Sequence, residues 1–197
     1  MGRDLAADRA RVYGAMRPGG DKSVWHWYRI QLFDPEFHCV AAYRFGQFAR
    51  HVRRRHRVLG VVLAALHRMA NRFVNQVHHM EISPRATIGP GLRLMHRHGV
   101  LIGPARIGKH CTLHHGITIG ERVAKRDHGI PEIGDNVWIG PGVIITGAVH
   151  IGNGVTISAG SVLSKDIPDT CLVAGNPARI VTFGYDNTEL LGVPDGA

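Results

Sequence analysis

Histidine is the residue type with the most potential for chemistry in this chain, which contains fourteen of them. Histidine transfers protons near neutral pH and is also a common zinc ligand. His96, His98, His110 and His115 lie within one short stretch of sequence. If successive turns of that stretch stack, these side chains can supply either a general base or a zinc site. The choice between the two depends on the elements that position them.

Aliphatic residues recur at every sixth position in the second half of the chain. A period of six matches neither an α-helix nor a lone strand. It is typical of a solenoid in which each six-residue unit forms one flat side, and three sides close a triangular coil of about 18 residues. The sequence therefore predicts a mostly β fold, a parallel β-helix over residues 81–168 with these residues pointing inward. They are Ile82, Ile88 and Leu94, then Ile107, Leu113 and Ile119, then Ile133, Ile139, Ile145, Ile151, Ile157 and Leu163.

The residues before the repeat read as helices. Residues 1–80 are predicted to form an N-terminal α-helical region, with residues 1–23 loosely structured. One amphipathic helix is expected to begin at Asp34-Pro35, and a second is expected from about Leu59 to Val77. The predicted apolar sides are Phe37, Val40, Ala41, Phe45 and Phe48 for the first helix, and Val62, Leu63, Leu66, Met69 and Phe73 for the second.

One long interruption breaks the period of six. Residues 120–132 are predicted to form a loop extruded from the β-helix, and such loops are frequent binding sites. Residues 169–197 follow the β-helix as a C-terminal segment.

The net charge of +9 comes entirely from the first part of the chain. Residues 1–80 hold 14 Arg and Lys against 5 Asp and Glu, and the remainder is balanced. A solvated basic helix face is the favoured interpretation. Attraction to an anionic substrate or a membrane surface is an alternative. Nucleic-acid binding is the least favoured, because no recognised module accompanies the arginines.

The cysteines and the first residues indicate where the protein works. Cys39, Cys111 and Cys171 are odd in number and widely spaced, which argues against a disulfide framework. No apolar run is long enough to cross a membrane, and the polar first residues do not read as a signal peptide. We therefore expect a cytoplasmic protein.

Several motifs between residues 43 and 181 resemble those of serine acetyltransferases. The resemblance implies a left-handed β-helix, an acetyl-CoA-dependent O-acetyltransferase that requires no metal, and a homotrimer or a dimer of such trimers. The stretch His114-His115-Gly116-Ile117-Thr118 looks most similar to short members from polysaccharide clusters, such as colanic acid acetyltransferases. The other motifs are Tyr43-Arg44-Phe45-Gly46, Ile82-Ser83-Pro84-Arg85-Ala86 and Gly175-Asn176-Pro177-Ala178-Arg179.

The catalytic residues that this resemblance implies are His96 and Glu81. His96 matches the family's catalytic histidine, whose aspartate partner lies fifteen residues earlier, and Glu81 holds that position here. Acetyl transfer to a hydroxyl needs a base, because an alcohol is a poor nucleophile at neutral pH. A carboxylate on the other ring nitrogen fixes the tautomer and stabilises the imidazolium. We therefore predict a Glu81–His96 dyad.

The residues that correspond to the family's acceptor site differ from its pattern. Met95 stands where the family has an aspartate that binds serine, and Gly129 and Ile130 stand where it has an arginine-histidine pair. A cationic clamp for a carboxylate is therefore missing. His115 and His128 are further candidates for contact with the acceptor. These differences make a hydroxyl of a sugar, a polysaccharide precursor or another metabolite an alternative to L-serine.

The coenzyme A thioester is expected to bind along the late coils, as in other acyltransferases with this fold. Ala159 and Gly160 are the candidates for holding the pantetheine arm through their backbone groups. Lys165 and Arg179 are the candidates for the coenzyme phosphates, as a point charge and a planar fork respectively.

Two interpretations from other classes stay open at the level of sequence. A zinc enzyme like the β-helix carbonic anhydrases would use histidines on neighbouring coils as ligands. An inactive scaffold would keep the fold and lose the chemistry. Metal content separates the first from an acetyltransferase, and coenzyme A binding separates the second.

Overall fold

The computed structural model describes residues 2–16, 34–121 and 129–192. Its helices are α1 (Gly2–Met16), α2 (Pro35–Arg55), α3 (Arg57–His78) and α4 (Thr188–Leu191). Its strands are β1 (Met80–Ile82), β2 (Thr87–Ile88), β3 (Arg93–Met95), β4 (Val100–Ile102), β5 (Arg106–Ile107), β6 (Thr112–His114), β7 (Thr118–Gly120), β8 (Glu132–Ile133), β9 (Trp138–Ile139), β10 (Ile144–Thr146), β11 (His150–Ile151), β12 (Thr156–Ile157), β13 (Val162–Leu163), β14 (Cys171–Gly175) and β15 (Ala178–Phe183).

The strands form the three sides of a β-helix. Parallel ladders run through β1-β4-β7-β10-β13, through β2-β5-β8-β11 and through β3-β6-β9-β12-β14. Each strand therefore pairs with the one a coil later, as Ile82 of β1 does with Ile102 of β4. Strand β15 reverses direction and pairs antiparallel with β14. The predicted parallel β-helix is confirmed, and its parallel pairing continues beyond Pro168 because β14 adds to β12.

The residues with a period of six form the core of the β-helix. All twelve are buried, from Ile82 in the first coil to Leu163 in the last. Cys111 is also fully buried, and burial raises the pKa of its thiol to about 12. Each coil thus buries its apolar residues against the coils on either side, which is how a parallel sheet is stabilised.

The first coil has a neighbouring coil on one side only, so the backbone groups on its open edge need other partners. Side chains of α2 supply them. The Tyr43 hydroxyl donates to the carbonyl oxygen of Ala86 and accepts from the backbone N of Ile88, at 3.0 and 3.1 Å. The Arg44 guanidinium donates to the carbonyl oxygens of Ile88 and Gly89. Helix α2 therefore closes the open end of the β-helix.

Residues 2–16 form helix α1, so the expectation of loose structure is wrong for them, and residues 17–23 lie outside the described residues. Helix α1 has a buried Asp8, which accepts hydrogen bonds from Arg44 Nε and from the backbone N of Leu92, both at 2.8 Å. Its Arg11 donates to the carbonyl oxygen of Leu191 at 2.7 Å. These partners lie far along the chain, so the helix depends on tertiary contacts that a local sequence pattern does not contain.

Helix α3 has nearly the predicted bounds, and much of its predicted apolar side faces solvent. Met69 and Phe73 of that side are exposed in the described part of the chain. The side that meets α2 contains Gly60 instead, where an added Cβ would collide with the backbone of Arg53. Glycine permits this close approach of two helices, and the close approach fixes which side of α3 faces α2.

Candidate active site

His96 lies on an enlarged turn between β3 and β4. The inward residues on either side of it, Leu94 and Ile102, are eight positions apart, whereas Leu113 and Ile119 at the next coil are six apart. The added length carries His96 outward, and its side chain is exposed. Its backbone is left-handed, with φ of 57°, which is uncommon for a residue other than glycine. An imidazole in this position can exchange protons with a bound acceptor.

Glu36, in the helical region, forms a hydrogen bond with this turn. Helix α2 begins with Asp34 as its N-cap, because that carboxylate accepts from the backbone N of Phe37 at 2.8 Å. Glu36 therefore lies in the first turn of α2, and its Oε1 accepts a hydrogen bond from the backbone N of His96 at 2.9 Å. Sequence reasoning missed Glu36, because nothing in the local pattern indicates a contact across 60 residues.

The end of α3 holds the other side of the turn. Arg97 Nε donates to His78 Nδ1 at 3.0 Å, and the carbonyl oxygen of His79 accepts from the backbone N of Gly99 at 2.9 Å. Burial, followed by the charge of Arg97, lowers the pKa of His78, which leaves Nδ1 free to accept. Two helices as well as two strands therefore position His96.

Glu81 lies close to this turn in the fold but does not touch His96. It is exposed on β1, opposite Leu101 of β4, and lines a shallow cleft with His79 and Gly99. Within the described residues, Glu81 forms no hydrogen bond or ion pair. Strand β1 belongs to the first side of the coil, whereas the His96 turn follows the third side. The Glu81–His96 dyad therefore stays a prediction.

Three aromatic rings lie beside His96 on the next two coils. The ring centroids of His96 and His115 are 5.8 Å apart in an edge-to-face arrangement, and those of His114 and Trp138 are 4.7 Å apart. Burial lowers the pKa of His114 to about 4, with smaller contributions from His115, His96 and Arg93. Its Nε2 is buried and has no hydrogen-bond partner among the described residues. His114 is therefore neutral at physiological pH.

Met95 belongs to the same surface. It pairs in register with His114 and is half-buried. The predicted acceptor residues Met95 and His115 thus lie one coil apart beside His96, and the surface between them is apolar and aromatic. No acidic side chain replaces the family's aspartate at Met95 itself.

The remaining predicted acceptor residues lie elsewhere. His128 is outside the described residues. Ile130 is half-buried just before β8, and the neighbouring Gly129 has φ of 68° with an added Cβ 2.6 Å from that of Ala148. Residues 122–128 of the predicted loop lie outside the described residues. The described residues that flank them follow β7, at the end of the first side of the coil, whereas His96 lies at the start of that side. Within one chain, the structure does not bring Ile130 to His96.

A column of glycines runs from the His96 turn toward the late coils. Gly99, Gly116, Gly142 and Gly160 occupy the same corner of successive coils, and all are exposed with φ between 68° and 71°. The backbone N of Gly142, for example, donates to the carbonyl oxygen of His115 at 3.0 Å. None of these four positions carries a side chain, so they form a continuous strip of backbone across four coils. Sequence reasoning identified only its last member, Gly160.

The four predicted coenzyme residues surround the last coil. Ala159 and Gly160 form an exposed turn at the end of the glycine column. Lys165 and Arg179 are both exposed and line one shallow cleft. The two pairs are joined through Ser161, whose Oγ accepts from the backbone N of Gly175 at 3.2 Å. The contacts with a coenzyme stay predictions.

Comparison with known proteins links these features to one class. Residues 131–165 match the family described as bacterial transferase hexapeptide (six repeats). The serine acetyltransferase of Helicobacter pylori is 32% identical over 163 residues, which cover 82% of this chain and 90% of that protein. Serine acetyltransferase 4 of Arabidopsis thaliana is 40% identical over 111 residues, which cover 56% of this chain and 31% of that protein. The solved structure of Brucella abortus serine acetyltransferase in complex with coenzyme A has a TM-score of 0.74 and 26% identity, covering 92% of this chain and 68% of that one.

The β-helix of six-residue repeats places the chain among proteins with the bacterial transferase hexapeptide repeat. Within that class, the chain belongs to the serine acetyltransferase family. It spans about a third of the length of two plant relatives, 31% and 34%. The predicted resemblance is confirmed, and the comparisons do not favour a carbonic-anhydrase-like enzyme or a scaffold. In the described ranges, no three His, Cys, Asp or Glu side chains form a group that could hold a metal ion.

Proposed function

We propose that the protein transfers an acetyl group from acetyl-CoA to a hydroxyl of a small acceptor, with His96 as the general base. The observation that carries this proposal is the position of His96. It is an exposed imidazole on a turn fixed by two helices, and it lies at the start of the glycine column. The names of the relatives, serine acetyltransferases throughout, support the same reaction.

The reaction needs one proton carrier and one electrophile. A ring nitrogen of His96 takes the proton from the acceptor hydroxyl as the oxygen attacks the thioester carbonyl carbon. The carbon–sulfur bond then breaks, and the imidazolium returns its proton to the departing thiolate. The acetyl group moves directly to the acceptor, without a covalent enzyme intermediate. Glu81 is proposed to orient His96 once the acceptor is bound, since catalytic hydrogen bonds often tighten only in the complex.

The glycine column is the proposed path of the pantetheine arm. From Gly99 to Gly160 it crosses three coil steps, and strands of a sheet are about 4.8 Å apart, so the column is about 14 Å long. An extended arm lying there would place its thioester next to His96 and its other end at Ala159 and Gly160. Lys165 and Arg179 then lie where they can meet the phosphates. The coenzyme A bound in the Brucella abortus relative supports this donor.

The acceptor proposed first is L-serine, because every relative named above is a serine acetyltransferase. The apolar side chains of Met95 and Ile130 favour a second candidate, a hydroxyl-bearing acceptor without a free amino acid backbone. Neither side chain can pair with an ammonium or a carboxylate group.

A homotrimer is the proposed assembly. The extruded loop and the His96 turn lie at opposite ends of the strands on one side of the coil. A neighbouring copy could therefore bring its own loop, with His128 and Ile130, next to His96 of the first copy. In that case, a mixed assembly of the inactive His96→Ala and His128→Ala variants contains some sites with His96 from one copy and His128 from its neighbour. Mixing the two variants therefore restores part of the activity. The mass of the assembly, measured by light scattering, tests the number of copies.

The deciding experiment measures free thiol released from acetyl-CoA with L-serine and with a panel of sugars, nucleotide sugars and amino alcohols. Release with L-serine supports the family activity. Release only with another acceptor supports the transfer chemistry and a different acceptor site. If none of the acceptors gives release above the hydrolysis rate without acceptor, the proposed function is wrong.

A further inference from the structure

Most large apolar residues of helix α3 face solvent, whereas Val74 is buried. The exposed fraction is 71% for Met69 and 61% for Phe73, whereas Gly60 and His67 lie against α2. The exposed residues follow one stripe along the helix. This outer face of α3 consists of Val58, Val62, Leu66, Met69, Phe73 and Val77. A contiguous apolar stripe of this kind normally marks a surface that binds a partner.

The helices around this face carry a concentrated positive charge. Between Glu36 and Glu81 the sequence contains eight arginines and no acidic residue. Arg44 is buried and paired with Asp8. The other seven arginines are exposed, and none of them forms an ion pair within the described residues. The charge on this part of the surface is therefore not neutralised by the chain itself.

The arginines lie next to the apolar stripe rather than apart from it. Three arginines end helix α2 at residues 53–55, and Arg57 begins α3 one residue before Val58. The tight contact of Gly60 with Arg53 fixes the end of α2 against the start of α3. Farther along, Arg68 and Arg72 are exposed within the length of the stripe. Arg57, Arg68 and Arg72 are thus exposed on the same helix as the apolar stripe.

We propose that the outer face of α3 binds the surface of an anionic lipid bilayer. Basic amphipathic helices lie in the interface, with apolar side chains at the acyl boundary and arginines at the phosphates. With 22 residues, α3 is about 33 Å long. None of the described helices is long and apolar enough to cross a bilayer, so α3 lies on the surface.

Charge favours the bilayer over a second copy of the chain as the partner. Two outer faces packed together would bring two sets of exposed arginines close to each other, and neither copy has an acidic residue between Glu36 and Glu81. Like charges in such an interface are unfavourable. Anionic lipid headgroups instead complement the guanidinium groups, and the acyl region of the bilayer removes the apolar stripe from water. Helix α3 ends at the contact between His78 and Arg97, so this binding brings the candidate active site close to the membrane.

The test is co-sedimentation of the full chain with vesicles. We expect binding to phosphatidylcholine vesicles that contain phosphatidylglycerol and little binding to pure phosphatidylcholine vesicles. Binding weakens as salt is raised, because screening reduces attraction to the headgroups. Neutralising Arg53, Arg54 and Arg55 with glutamine weakens binding by about fivefold per arginine.

The apolar part of the proposal is tested with Phe73→Glu, which weakens vesicle binding by at least about tenfold. The matched control is Phe183→Glu on β15, where the wild-type side chain has a similar exposed fraction of 70%. Both variants introduce the same charge at an exposed phenylalanine, and thiol release from acetyl-CoA checks that each is folded. Met69→Glu repeats the test at the centre of the stripe.

Equal vesicle binding by wild type and Phe73→Glu would overturn the proposal, as would the absence of binding to anionic vesicles. If Phe73→Glu instead lowers the mass of the assembly in vesicle-free solution, a second copy covers the stripe and the proposal is wrong. Vesicle binding and acetyl transfer are measured separately. The absence of vesicle binding would therefore not contradict the proposed acetyl transfer, and the absence of acetyl transfer would not contradict the proposed membrane binding.

Discussion

The carboxylate of Glu36 accepts a hydrogen bond from the backbone N of His96 at 2.9 Å, although the two residues belong to different parts of the fold. Glu36 lies in the first turn of α2, and His96 lies on the enlarged turn of the first coil. The left-handed backbone of His96 is an unfavourable conformation for an L-residue other than glycine. The bond from Glu36 therefore stabilises the conformation that projects the imidazole.

We predict that Glu36 is a positioning residue for His96. Glu36→Ala removes the acceptor and lowers kcat by roughly tenfold, since a hydrogen bond to a charged group contributes about 1.5–3 kcal/mol. Glu36→Gln keeps an acceptor oxygen and should restore most of kcat. Steady-state kinetics and the pH profile of kcat are the measurements. A loss of stability with unchanged kcat in Glu36→Ala would mean that the contact is structural only.

His96→Ala is expected to lower kcat/KM by about two to four orders of magnitude, the range for loss of a general base. His98→Ala is the matched control, because His98 is an exposed histidine on the same turn. A rate for His96→Ala within a few-fold of wild type would remove His96 from the proposed role.

Stacking along the β-helix could be predicted from the sequence, because each inward aliphatic residue repeats at a fixed interval. The same stacking makes Met95 and His114 neighbours, since residues one coil apart pair in register. The contact of Glu36 with His96 could not be predicted, because it depends on how the helices pack on the first coil. Helix α1 was missed for a similar reason, since the partner of its Asp8 is the distant Arg44.

The orientation of α3 shows a different limit of sequence patterns. Periodicity identified the helix and its apolar stripe, and the usual rule places such a stripe against the core. Here Gly60 allows α2 to approach the opposite side, so the stripe that includes Met69 faces solvent. The contact at this one small residue is local and steric, and the apolar pattern of the helix does not contain it.

The buried pair of Arg44 and Asp8 should be important for stability. Both side chains are 1% exposed, and Arg44 also bonds the open edge of the first coil. Arg44→Met leaves a buried carboxylate without its partner, so the free energy of unfolding should fall by about 3–5 kcal/mol. Urea denaturation measures the change. The double variant with Asp8→Asn should be less destabilised than the sum of the single variants, and additivity would argue against a direct pairing energy.

His114 should make stability depend on pH. Its folded pKa of about 4 lies below the ordinary value of 6.5, mainly because of burial. Between these values the unfolded chain binds a proton that the folded chain does not, so the free energy of unfolding falls as pH decreases from 6.5 to about 4. His114→Leu removes this titration and the unpartnered Nε2. Urea midpoints measured across this range should fall less steeply for His114→Leu than for wild type, and equal slopes would contradict the prediction.

Gly142 tests whether the thioester arm follows the glycine column. An added Cβ at Gly142 meets nothing closer than 3.9 Å within the described chain, so Gly142→Ala keeps the fold. Its left-handed φ of 68° should cost about 1 kcal/mol of stability. The methyl group would nevertheless stand on the strip of backbone, so KM for acetyl-CoA should rise by roughly tenfold through misplacement of the donor. Gly184→Ala is the matched control, because Gly184 has a similar φ of 64° away from the column and an added Cβ there meets nothing within 4 Å. An equal KM in the two variants would place the arm away from this column, whereas a rise in Gly142→Ala alone would place the arm on the column.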